Sequence, residues 1–190
     1  KRISMELGGK SPNIVFADAD LEAAAKGIFM GIFYNQGQCC SAGSRVFIER
    51  PAYDKMVAAL AERAKTVKQG NPLDPKTHMG PLVSAEQRDR VLSYIESGKK
   101  EGAQLLSGGA AAEGPGFFVQ PTVFGGVKDD MKISREEIFG PVVSVMPFDT
   151  LDEVMARANS SDYGLVAAVW TKDVKKAHQA AAKLKAGPVW

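Results

Sequence analysis

Asn13-Ile14-Val15-Phe16 and Arg45-Val46-Phe47-Ile48-Glu49 bracket a helical pattern, and this strand–helix–strand unit decides the fold. The first run is short, apolar and β-rich, as a buried strand requires. Asp18 and Asp20 follow it and suit a helix N-cap. Leu21, Ala24, Ala25, Ile28, Phe29, Ile32 and Phe33 then recur at the spacing of one buried helix face. Asn35 to Gly37 ends the helix, and Val46 and Ile48 share one side of the next strand.

Outward from this unit the alternation continues. Pro51 opens a helix whose apolar side is Tyr53, Met56, Val57, Leu60, Ala64 and Val67. Gly70 to Pro81 is a loop with three prolines. Ser84-Ala85-Glu86-Gln87 reads as a capping box ahead of the stripe Val91, Leu92, Ile95. Gln104 to Ser107 and Phe117 to Val119 are expected strands around the loop Gly108–Gly116. Val142 to Phe148 is a strand, and Thr150 caps a helix through Ala158. Leu165 to Thr171 has strand length; Asp173 caps a last helix, Val174 to Leu184, which Gly187 ends. Ile3 and Met5 are expected to form a strand, and Pro188-Val189-Trp190 to begin another. Strands alternating with helices imply an α/β domain with a largely parallel sheet.

Bulk properties exclude several functions. The 190 residues suit one large domain or two small ones, with 45% hydrophobic and 24% charged residues. A formal net charge of +2 gives no field for nucleic acid. Lys99-Lys100 and Lys175-Lys176 fall on helices and read as solvated faces. No run approaches a membrane span, and no signal peptide is visible. His78 and His178 lack a cysteine or carboxylate at ligand spacing, so no metal site is expected. Cys39 and Cys40 are the only cysteines, a poor disulfide framework that favours a reducing, cytoplasmic setting. Both ends fall inside patterned sequence, so a fragment of a longer protein is expected.

The chemistry concentrates in short runs. Asn35-Gln36-Gly37-Gln38-Cys39-Cys40 places thiols just past a glycine turn, and Ser41-Ala42-Gly43-Ser44 leaves room around them. Upstream lies Glu6-Leu7-Gly8-Gly9-Lys10-Ser11-Pro12, and Glu6 and Cys40 meet only if the fold brings them together. A thiol nucleophile and a carboxylate base in one site suit acyl-transfer chemistry. On residue type alone, both cysteines read equally as small buried hydrophobes, Glu6 as a surface carboxylate and Gly8-Gly9 as a plain turn. No GxGxxG fingerprint is present.

Together with Glu137-Ile138-Phe139-Gly140-Pro141, these runs make the chain resemble the catalytic domain of the NAD(P)-dependent aldehyde dehydrogenase superfamily. The motifs are ELGGK at Glu6–Lys10, GQ-x-C at Gly37–Cys40 and E-x-F-G-P at Glu137–Pro141. The similarity extends through Tyr163-Gly164-Leu165 to Ala186-Gly187-Pro188-Val189-Trp190. The resemblance implies a Rossmann-like three-layer domain spanning residues 1–190, with the cofactor-binding domain and a C-terminal segment absent. It makes Cys40 the nucleophile, because Cys40 rather than Cys39 holds the position after Gly37-Gln38-x, and Glu6 the general base. It implies oxidation of an aldehyde to a carboxylic acid through a thiohemiacetal and a thioester. NAD or NADP would contact Leu7, Gly8, Gly9, Glu137, Phe139 and Gln87, with Arg90 in the place family members often give to lysine. Glu136 is expected to face solvent. Tyr34, Cys39 and Ser41 would line the substrate pocket. The partners implied are a small-molecule aldehyde and further copies of the chain, as a homodimer or homotetramer; no nucleic acid and no membrane.

Two alternatives stand beside this reading. A CoA-acylating relative would pass the thioester to a thiol, but such relatives generally lack the ELGGK glutamate. A non-catalytic module would keep the fold for assembly or binding. The isolated chain is expected to be inactive, since the groups that hold most of the dinucleotide lie elsewhere.

Overall fold

The computed structural model describes residues 1–190. A six-stranded sheet runs β3-β4-β5-β2-β1-β6 across the molecule. Its strands are β1 (Pro12–Val15), β2 (Arg45–Glu49), β3 (Gln104–Ser107), β4 (Thr122–Gly125), β5 (Val142–Phe148) and β6 (Ala168–Trp170). All neighbours are parallel except β3 and β4. The helices are α1 (Leu21–Phe33), α2 (Arg50–Lys65), α3 (Ala85–Lys100), α4 (Lys132–Arg135), α5 (Leu151–Asn159) and α6 (Val174–Lys183).

Strand alternation splits the core into two, giving the expected three layers. Val15, Val46, Ile48, Val143 and Val145 face α1 and α2 and pack with Ile28, Ile32, Met56 and Leu60. Ile14, Phe16, Phe47, Met146 and Phe148 face the other way, against Val91 and Ile95 of α3, Val154 of α5 and Ala180 of α6. The caps fall where the sequence puts them. Asp20 accepts from the amides of Glu22 and Ala23, Thr150 from that of Glu153, and Asp173 from those of Lys175 and Lys176. Asp18 instead accepts from the Thr171 hydroxyl.

Three expectations need correction. Phe117 to Val119 is not a strand: only Val119 bridges to Ala111, and regular pairing begins at Thr122. Pro121 has no N–H to donate, so the ladder starts after it. Ile3 and Met5 do not form a strand; nothing pairs with that stretch, and their side chains are 87% and 69% exposed. The run Leu165 to Thr171 narrows to Ala168–Trp170. Val189 does pair in parallel with Ala167, as a strand beginning there would. No helix is long and apolar enough to cross a membrane.

Strand order explains what places the site. β5, β2 and β1 are adjacent and parallel, with Pro12 beside Arg45 and Arg45 beside Ser144. Each motif run precedes one of these strands: Glu6–Ser11 leads into β1, Gly37–Ser44 into β2 and Glu137–Pro141 into β5. Three loops distant in sequence therefore meet at the N-terminal ends of these central strands.

Candidate active site

Backbone contacts at two glycines lock these loops together. A Cβ at Gly9 would overlap the carbonyl oxygen of Cys40. The Gly9 N–H donates to Glu137 Oε1 at 2.9 Å. Gly37, at φ 70°, would drive a Cβ into the carbonyl of Gly140. Only glycine tolerates such approaches. ELGGK thus touches both other motifs, and those two touch each other.

The cysteines sit beyond a tight reversal. Asn35 and Gln36, with φ of 47° and 57°, and Gly37 form three consecutive left-handed residues after α1. Such a run is costly for side-chain-bearing residues and persists only where its surroundings fix it. Here Asn35 Nδ2 donates to the Gln38 carbonyl at 2.8 Å, and the Val83 N–H donates to Gln38 Oε1 at 3.0 Å. Asn35 therefore does more than stop the helix. Cys39 and Cys40 are both free and half-buried. Cys39 packs on the α1–α2 core, lies 3.3 Å from Ser41 Oγ, and lines a small cavity with Gly9, Glu137 and Phe139. Cys40 stands next to Gly9 and apart from that cavity.

The remaining candidates are distributed unevenly. Glu6 and Leu7 lie in the exposed stretch before Gly8, and the Glu6 carboxylate makes no hydrogen bond. Tyr34 is exposed and lines a groove of about 580 Å³ with Phe29, Met30, Phe33, Val67 and Met79. Ser41 is exposed, and so is Glu136, whereas Glu137 is half-buried. Gln87 departs from its capping-box reading. Its N–H does donate to Ser84 Oγ, but its side chain does not return to Ser84. The amide nitrogen instead donates to the carbonyls of Ile138 and Phe139, at 3.2 and 2.8 Å.

Sequence reading assigned no role to Lys10. Its side chain is buried, and its Nζ and the neighbouring Ser11 Oγ have no hydrogen-bond partner. Burial, and then the nearby Arg45 guanidinium, push the amine down to about 7 against the opposing pull of Glu137 and Glu136. Arg45 itself donates to the carbonyls of Lys10, Arg157 and Ala158. A pH effect follows. The folded amine titrates near 7 and the unfolded one near 10.5, so the unfolded chain binds more protons between those values. Stability then rises with pH through that window, and the penalty is full and constant below it. At about 1.36 kcal/mol per pH unit, the buried ammonium costs roughly 3–5 kcal/mol. Lys10→Met is expected to stabilise the fold by that order at pH ~6, with the gain shrinking towards pH ~10. Urea midpoints of both proteins across this range check it; a gain independent of pH would mean the ammonium is not the source.

Comparison with known proteins matches the whole chain, residues 1–190, to the model of the aldehyde dehydrogenase family. Aldehyde dehydrogenase 1A1 of Gallus gallus is 56% identical over 190 residues, all of this chain and 37% of that protein. The NAD+ complex of an aldehyde dehydrogenase from Bacillus cereus superposes with a TM-score of 0.97 at 59% identity, over 100% of this chain and 39% of the other. A betaine aldehyde dehydrogenase from Staphylococcus aureus, also solved with NAD+, gives 0.95 at 45% identity, over 97% and 38%. The chain spans less than two-fifths of the length of these relatives.

Proposed function

The chain belongs to the aldehyde dehydrogenase family, and on that premise we propose that it is the catalytic portion of a longer NAD- or NADP-dependent enzyme that oxidises an aldehyde to a carboxylic acid. The observation that carries this reading is the convergence on Gly9, where the Cys40 carbonyl and the Glu137 carboxylate both meet the ELGGK backbone.

The residues present fit a dinucleotide. Glu137 Oε2 carries no hydrogen bond and would lie 2.7 Å from a Cβ at Gly8, so the bare glycine leaves a free acceptor beside the backbone. Phe139 is 39% exposed beside it. A free carboxylate oxygen suits a ribose diol, and glycine backbone beside a bare ring edge suits a flat heterocycle. Gly8, Gly9, Glu137 and Phe139 would hold the nicotinamide-ribose half, with Leu7 alongside and Gln87 acting through the loop it grips. When bound, NAD or NADP supplies the hydride acceptor.

The chain's own residues do the rest. The Cys40 thiolate adds to the aldehyde carbon, giving a thiohemiacetal whose collapse with loss of hydride leaves a thioester. Glu6 takes a proton from water, which attacks the thioester carbon; the carboxylic acid leaves and the thiol is regenerated. The exposed stretch carrying Glu6 leaves that carboxylate open to solvent. Tyr34, Cys39 and Ser41 would shape the aldehyde side. Intact Glu6 favours water over CoA as acceptor, and intact Cys40, Glu6 and Glu137 favour turnover over a purely structural role. We place the parent protein in the cytoplasm from its two free thiols, and read it as a homodimer or homotetramer from its family.

The test uses the full-length protein carrying this segment. With an aldehyde, NAD and CoA supplied together it is expected to form reduced cofactor and free acid in equal amounts. Product recovered as a CoA ester, or no NAD-dependent oxidation of any aldehyde tried, would overturn the reading. The 190-residue chain alone is expected to show no saturable NAD binding by calorimetry, because most of a ligand's surface must be enclosed for affinity. Micromolar binding by the chain alone would show that the nicotinamide half-site suffices.

A further inference from the structure

One face of α3 holds the loop that carries Glu137 and Phe139. Gln87, Arg90 and Tyr94 lie three and four residues apart along it. Gln87 donates to the carbonyls of Ile138 and Phe139. Arg90 Nη2 donates to the Glu137 carbonyl at 3.1 Å. The Tyr94 hydroxyl donates to Glu136 Oε2 at 2.7 Å. Each residue from Glu136 to Phe139 therefore has a partner on the same helix face.

The loop needs holding. Phe139 sits at φ 59°, where a side-chain-bearing residue is strained. Two carboxylates stand side by side, and only one of them faces the glycines. Glu136 is extended, with φ −102° and ψ 148°, so its side chain and that of Glu137 leave the backbone in opposite directions. Pinning Glu136 to Tyr94 turns Glu137 towards Gly9. Tyr94 is well placed to pin it. Its side chain is 5% exposed and lies between the Arg90 guanidinium and the Lys132 ammonium, 5.3 and 4.9 Å from the ring centre. Burial and the Glu136 hydrogen bond push its hydroxyl up to about 12, so the proton stays on the phenol as donor. Lys132, 4.0 Å away and exposed to solvent, and the buried Lys10 are cations near Glu136.

We propose that Tyr94 is a positioning residue for the dinucleotide: by holding Glu136 it fixes the aim of Glu137, and with it the grip on the cofactor ribose. The proposal rests on the aldehyde-oxidising reading above. It concerns only the cofactor half of the site. An activated ester can acylate Cys40 by expelling its own alkoxide, and Glu6-assisted hydrolysis then completes a cycle that needs no dinucleotide.

The full-length protein serves for the test. Tyr94→Phe keeps the ring and loses the short hydrogen bond to Glu136 together with the longer one from Arg90 Nη2, 3.4 Å away, and is expected to raise KM for NAD about tenfold. Its cofactor-free hydrolysis of an activated ester is expected to stay within about twofold of wild type. Glu136→Ala should reproduce the NAD effect, Glu136→Gln should largely restore normal binding because its amide oxygen still accepts, and the double variant should be no worse than either single one. If Tyr94→Phe does not fold, the exposed Glu136→Ala and Glu136→Gln pair asks the same question. An unchanged KM for NAD in an active enzyme, or a loss shared equally by ester hydrolysis, would overturn the proposal. A wild type with ester hydrolysis but no aldehyde oxidation fails the parent reading, and this proposal with it.

Discussion

Glu6→Gln in the full-length protein is expected to complete one turnover and then stall. Glutamine keeps the shape of the side chain and loses the base, so Cys40 still adds to the aldehyde and hydride still leaves. The thioester then waits for water that nothing deprotonates. Steady turnover should fall about 10²–10⁴-fold, the usual cost of a lost general base. Gly9 abuts the Cys40 carbonyl, and Glu6 lies three residues before it. Three residues of extended chain span at most about 10 Å, which sets the outer bound on how far the Glu6 backbone lies from the Gly9–Cys40 contact. No hydrogen bond ties the Glu6 carboxylate elsewhere. Rapid mixing with NAD and an aldehyde should show a burst of reduced cofactor equal to the enzyme present, followed by a slow phase. A normal steady state in Glu6→Gln would assign water activation to another group. Loss of the burst itself would mean that Glu6 acts before the thioester forms.

The layers of the fold were legible because burial is written locally. Val46 and Ile48 against Phe47 report two faces of one strand, and the α1 stripe reports one face of a helix. Strand order is not written locally. Nothing in the run before β1, β2 or β5 says that these three strands are neighbours, yet their adjacency brings Gly9, Cys40 and Glu137 together. The strand Thr122–Gly125 shows a smaller limit: the aromatic run Phe117-Phe118 has strand character but lies before Pro121, which sets the true start. Family motifs supplied the candidate residues, but not how they are supported. A lysine beside two glycines carries no sign that it will be buried without a partner. The Tyr94–Glu136 bond joins residues 42 positions apart, and no short motif includes Tyr94. Gln87 fitted a local cap so well that its long-range contact was hidden.

Cys40→Ala should be the most damaging single change, because no covalent route remains. Loss of a nucleophile typically removes roughly 10⁴–10⁶ of kcat, leaving only what binding and orientation supply. Neither the burst nor the steady state should survive, and cofactor-free ester hydrolysis should disappear with them. NAD affinity should hold, since the Gly9–Cys40 contact is made by the backbone carbonyl and not by the thiol. Cys39 is the control that gives this result its meaning. Its sulfur packs on the α1–α2 core and lies against the Ser41 hydroxyl, so Cys39→Ala removes packing rather than chemistry. Truncating a half-buried cysteine costs stability on the order of 1 kcal/mol and should leave most turnover in place. Alkylation separates the two thiols without mutation: iodoacetamide should label Cys40 first, activity should fall in step with that label, and excess aldehyde should slow both. Survival of activity in Cys40→Ala, or labelling that starts at Cys39 while activity falls, would move the nucleophile one residue upstream, into the small cavity beside Glu137 and Phe139.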